Sequence, residues 1–148
     1  MWNSGKSVQL SLICTKIVIA LVVACAAILP MMIERYMWLL PVEISALYPF
    51  MAILYLCCIP AMIALVCLHK LLVNIRNEDV FISKNVKLLR IISWCCFLAA
   101  LMMVFAAFYQ FLFGVMAVAF AFIGLILRVV KNVIEEAVQI KDEHDFTI

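Results

Sequence analysis

Seven cysteines are the first residues in this chain that could do chemistry: Cys14, Cys25, Cys57, Cys58, Cys67, Cys95 and Cys96. Thiols at suitable spacing bind soft metals or exchange disulfides. Here the spacing argues against both. There is no Cys-x-x-Cys pair, the count is odd, and adjacent cysteines on a helix point about 100° apart. Cys14, Cys67, Cys95 and Cys96, with His69, fall at a similar depth by sequence, so a metal or redox site is a minor reading beside that of small apolar filler. No nucleophile, base and orienting residue come together in the pattern, and no glycine-rich phosphate loop or zinc-protease motif is present. The expectation is a protein that is not an enzyme and carries no cofactor.

The elements that hold these residues follow from the charge pattern. Of 148 residues 70% are hydrophobic and 14% charged, against roughly 45–50% and 25% in soluble domains. Three stretches are free of charge: Ile17 to Ile33, Ile44 to Leu68, and Ile91 to Leu127. The third would measure about 55 Å as one helix, nearly twice the hydrocarbon thickness of a bilayer, so it must fold back. The expected reversal is Tyr109 to Gly114, with Gly114 relieving the turn. Four membrane spans result, about Ile13 to Ile33, Tyr48 to Leu68, Ile91 to Ala107 and Gly114 to Val133, in one all-α domain over 1–148. The start of the chain, with Lys6, Lys16 and an apolar run, has the layout of a signal peptide. That run continues past Cys25 to Ile33 instead of giving way to a soluble domain, so it is read as a span.

Of the 11 lysines and arginines, all but Arg35 fall in the N-terminal arm, the segment from His69 to Arg90, or the C-terminal segment. Basic loops stay in the cytosol, so both termini are expected inside. The spans hold no acidic residue, which removes the usual support for proton-coupled export. Tyr36, Trp38, Leu39 and Leu40 between Glu34, Arg35 and Glu43 read as an interfacial segment on the outer side. Two small-residue seams, Ala20, Ala24 and Ala27 in the first span and Gly114, Ala117, Ala121 and Gly124 in the fourth, suit packing within the bundle, with homo-oligomer contact as the lesser reading. Pro60 is expected to kink the second span.

Three features of the cytosolic side are unlike bilayer sequence. The second helix is expected to run on to about Asn77, break at Glu78 to Ile82, and resume with Ser83 as N-cap. The fourth is expected to continue past the membrane, its stripe of Ile126, Val130, Val133, Ala137 and Ile140 packing on the other extensions. The last residues, Lys141 to Ile148, read as an acidic segment ending in Phe146, Thr147 and Ile148 that could dock in extended form. The basic segment from Lys70 to Arg90 is its electrostatic complement.

Val80-Phe81, Asn85-Val86, Leu89-Arg90, Gly124-Leu125-Ile126, Arg128 to Asn132 and the closing Lys141 to Ile148 resemble the bacterial membrane proteins grouped as domain of unknown function 2975. The tail in that family tends to read Glu-Asn-Asp-Leu-Thr-Ile or Val, and here His144 and Phe146 stand in place of the Asn and Leu. The resemblance implies four spans and a bacterial cytoplasmic membrane. It also implies a partner, since family members are often encoded beside a small helix-turn-helix DNA-binding protein. On this reading the chain is a membrane regulatory protein that binds such a regulator through Phe81, Asn85 and Arg90 in the loop and Glu143, Asp145, Phe146, Thr147 and Ile148 in the tail. It does not bind nucleic acid itself, because the loop from His69 to Arg90 is too short for a recognition domain. The alternative is a small transporter or channel subunit for a lipophilic compound.

Overall fold

The four expected spans are four long helices: α1 (Ser4–Leu39), α2 (Ile44–Arg76), α3 (Ser83–Ala107) and α4 (Leu112–Phe146). The computed structural model describes residues 4–39, 44–77 and 80–146. Each helix contains a stretch long and apolar enough to cross a bilayer, namely Lys6–Met32, Tyr48–Arg76, Ser83–Ala107 and Leu112–Lys141. Three bounds at the end remote from the basic loop fall within two residues of those read from charge: Tyr48, Ala107 and Leu112. At the other end α2, α3 and α4 overrun the hydrocarbon thickness, α4 measuring about 52 Å at 1.5 Å per residue. These overruns are the expected helical extensions.

The helices alternate in direction. Ala107 lies opposite Gly114, Cys96 opposite Gly124, and Arg90 opposite Glu135, so α3 and α4 step past each other head to tail. Among the described residues close backbone approach is confined to α1 with α2, α2 with α3, and α3 with α4. α2 and α4 also touch through side chains, Phe50 against Phe113. α1 meets α2 alone, and α3 sits between its two neighbours.

Two clusters tie α2, α3 and α4 together at opposite ends. At the basic end Leu71, Leu89 and Ile92 are buried, with Cys67, Ile75, Cys96, Leu127 and Ile134 packed around them. The cluster straddles the ends of the uncharged runs: Leu71, Ile75, Leu89 and Ile134 lie beyond them, where burying each large aliphatic side chain contributes about 1.5–3 kcal/mol, while Cys67, Ile92, Cys96 and Leu127 lie within them, where that drive is largely absent in a bilayer. At the other end the Phe50 ring lies 5.7 Å from Tyr109 and 5.4 Å, edge on, from Phe113. Aromatic pairs of this kind add about 0.5–1.5 kcal/mol each.

The α3–α4 seam is set by small residues. A Cβ on Gly124 would lie 3.3 Å from Cys96 Cβ and from the Phe97 ring, so only glycine permits this approach without displacing a neighbour. Beside it the buried Ser93 hydroxyl donates to the Gly124 carbonyl at 2.9 Å. Ala117, three per cent exposed, continues the seam. The equivalent reading for α1 does not hold. Ala20, Ala24 and Ala27 are exposed, while Leu12, Thr15, Ile19, Val22, Ala26 and Leu29 form the covered face. Tyr55 on α2 donates across this contact to the Ala26 carbonyl at 3.1 Å.

The reversal between α3 and α4 occupies residues 108–111. Tyr109 and Gln110 amides donate to the Ala106 carbonyl at 3.0 and 3.2 Å, and the Gly114 amide to Phe111 at 2.9 Å. Gly114 therefore lies inside α4 and not at the turn, and its function is close packing: its nearest neighbour is the Ala107 Cβ, 3.6 Å from where a Cβ would stand. Pro60 is buried inside a continuous α2. α1 remains helical to Leu39 and α2 starts at Ile44, so the connection is shorter than the expected interfacial segment. Side chains of Glu34, Tyr36, Trp38, Leu39, Leu40 and Glu43 lie outside the described residues.

Candidate docking site at the basic end

The α2 helix ends where the Asn77 amide reaches back to the Val73 and Asn74 carbonyls, both at 3.1 Å. α3 opens on Ser83, and the N-cap position belongs to Ile82, extended at φ −127°, ψ 145°, without a side-chain cap. Ser83 is thus the first helical residue and not the cap that its type suggests. The work of closing the connection falls to Asn85. Its backbone amide donates to the Ile82 carbonyl at 3.0 Å, and its side-chain amide donates to the Val80 carbonyl at 2.9 Å. Its Oδ1 accepts from Asn74 Nδ2 on α2 at 2.8 Å. With one per cent exposure, Asn85 shapes the loop from within instead of offering a surface to a partner. Burial of a carboxamide is tolerated only when its polar atoms are paired, as they are here.

Phe81 is the opposite case. It is 48% exposed at the tip of the connection. Three residues on in the chain, Lys84 is part of the wall of a cavity of about 440 Å³ between α2 and α3, lined by His69, Lys70, Val73, Asn74, Lys84, Lys87 and Leu88. Its floor is apolar and its rim carries three ammonium groups. His69 Nδ1 is buried there without a hydrogen-bond partner among the described residues. Arg90 stands one turn further along α3 and points to the other side, pairing with Glu135 of α4 at 3.2 Å. Glu135 also pairs with Lys131, four residues earlier on its own helix. Arg90 therefore links α3 to α4.

The C-terminal segment differs from its expected form. α4 stays helical through Phe146, because the sequence from Glu135 onward holds no glycine or proline and is rich in good helix formers. An extended hook can involve only the residues beyond Phe146. Glu143 is exposed on this helix; the side chains of Asp145 and Phe146, and all of Thr147 and Ile148, lie outside the described residues. The expected packing stripe of α4 is displaced as well. Ile126, Val130, Val133 and Ile140 are exposed; of the expected stripe only Ala137 is half-buried, and it flanks the covered line of Leu127, Lys131, Ile134 and Val138. Those positions continue the register of Gly124, whose contact with Cys96 and Phe97 fixes the rotation of the helix.

All seven cysteines are free thiols. Cys67 and Cys96 pack against the Leu71 cluster. Among the described residues no group of three histidines, cysteines or carboxylates comes together in a way that could hold a metal.

Helices, basic groove and exposed aromatic fit a membrane protein that presents a polar end, and comparison with other proteins adds a lineage without a chemistry. No curated protein and no solved structure matches the chain. A family model described as "Protein of unknown function (DUF2975)" matches residues 32–148, which takes in all of α2, α3 and α4 and leaves most of α1 outside. The chain belongs to that family.

Proposed function

We propose that this is a non-catalytic docking protein of a bacterial cytoplasmic membrane, with both termini in the cytosol, that binds a small helix-turn-helix DNA-binding regulator at its basic end. The observation that carries the reading is the groove between α2 and α3 lined by Lys70, Lys84 and Lys87, with Phe81 exposed on the hydrogen-bonded loop three residues before Lys84. An apolar floor with a cationic rim, and an exposed aromatic close by in the chain, suit an acidic segment bearing one or two large apolar residues. The concentration of basic residues at that end supports a cytosolic position for it, where such a regulator works. The resemblance to proteins encoded beside helix-turn-helix regulators supplies the kind of partner.

The test is co-purification of the full chain from membranes with a helix-turn-helix protein encoded beside it. Lys84→Glu with Lys87→Glu reverses the charge of the groove and is expected to abolish capture. Removal of residues 142–148 shows whether the tail contributes, as the sequence suggests. Failure of the unmodified chain to retain the regulator would sink the reading.

A further inference from the structure

A second cavity, of about 310 Å³, opens between α3 and α4 on the side away from the docking groove, lined by Arg90, Ser93, Trp94, Arg128 and Lys131. It lies nearer the bilayer than the first. Arg90 immediately precedes the apolar run that starts at Ile91, Trp94 is one turn inside that run, and Arg128 faces Trp94 from α4. The Arg128 guanidinium stands over the Trp94 ring, 5.5 Å from its centroid. An indole with arginines around it is the residue set of the headgroup level.

Charge here is unbalanced. Three cations line the cavity, and two of them, Arg90 and Lys131, donate to the Glu135 carboxylate. That pairing holds the two side chains at the rim and leaves the site net positive. Lys131 has only 13% of its side chain exposed, so its charge is partly withdrawn from water and its field is less screened. The Ser93 hydroxyl donates to the Gly124 carbonyl, which locks the wall of the cavity to the glycine contact.

The surface beneath the cavity selects the ligand. Leu98, Leu101 and Phe105 follow Trp94 down one exposed face of α3, and Leu125 and Val118 follow Arg128 down α4. A cationic pocket at headgroup depth above a continuous apolar strip matches a molecule with a phosphate at one end and acyl chains at the other. We infer that the α3–α4 cavity binds the phosphate of an anionic phospholipid, with Arg90, Arg128 and Lys131 donating to its oxygens and the acyl chains lying along the strip below.

Native mass spectrometry of the full chain in detergent, given equal phosphatidylglycerol and phosphatidylcholine, tests this. The chain is expected to retain phosphatidylglycerol preferentially. Arg128→Ala with Lys131→Ala should reduce that retention at least about tenfold, since each basic residue near a membrane surface contributes on the order of 1 kcal/mol. Lys6→Ala with Lys16→Ala, which removes the same charge from α1, should leave it unchanged. Glu135→Gln should raise retention about threefold, a gain that a misfolded variant would not show. Equal retention of the two lipids, an equal loss in the α1 variant, or no loss in the cavity variant overturns the site. Displacement of phosphatidylglycerol by equimolar inorganic phosphate overturns the lipid assignment in favour of a soluble phosphate.

Discussion

Asn85 is where residue type and residue position give different messages. Its place in a basic loop suggests a contact residue, whereas its burial and its bonds to Asn74 and Val80 make it the internal brace of the α2–α3 connection. Asn85→Ala would remove two part-buried hydrogen bonds, to Val80 and from Asn74, each contributing about 0.5–1.5 kcal/mol. The expected outcome is a lower thermal unfolding midpoint in detergent. Phe81→Ala, by contrast, should leave the midpoint unchanged and weaken capture of the regulator. The sequence does not separate these two residues, because both sit in a short polar stretch. Only the fold-back of the chain from Val80 to Asn85 turns one inward and the other out.

Between helices, the legible and the illegible divide along a physical line. Helix number, the span bounds at the end remote from the basic loop and the break near Glu78 follow from charge, because charge is costly in hydrocarbon wherever it occurs. Helix rotation does not follow from hydrophobicity, since a lipid-facing leucine and a packed leucine are equally at home. The α4 stripe beginning at Ile126 is therefore assignable to the wrong face. The Gly124 seam is readable because small residues report close approach directly. Gly124→Val should force α3 and α4 apart and cost about 1–3 kcal/mol. Gly114→Ala meets only an ordinary contact with Ala107, and it should be neutral or slightly stabilising because alanine favours a helix. Unfolding midpoints of the two variants, measured side by side, check the contrast.

For the whole molecule, the distribution of lysine and arginine predicts which side faces the cytosol. In a background lacking the native cysteines, Phe81→Cys should resist a membrane-impermeant maleimide in intact cells and react after permeabilisation. Tyr48→Cys, at the far end of α2, should react in intact cells. The reverse pattern would place the docking groove outside and exclude a cytosolic regulator. Which helices approach one another is not legible in the sequence, because four spans in succession can pair in several ways. Among the described residues close backbone approach links chain neighbours, and α1 has none with α3 or α4.

The neighbour-to-neighbour order of backbone approach bears on how the protein is made. A closed ring of helices is incomplete until the last one arrives and finds the first. Here each helix leaving the ribosome has as its main backbone partner the helix inserted just before it. Assembly can then keep pace with synthesis, with no distant segment to wait for and little loop closure to organise. α3 is the decisive arrival: once it docks on α2, the Asn74–Asn85 clasp and the Leu71 cluster can begin to form, and α4 is received onto a surface already built.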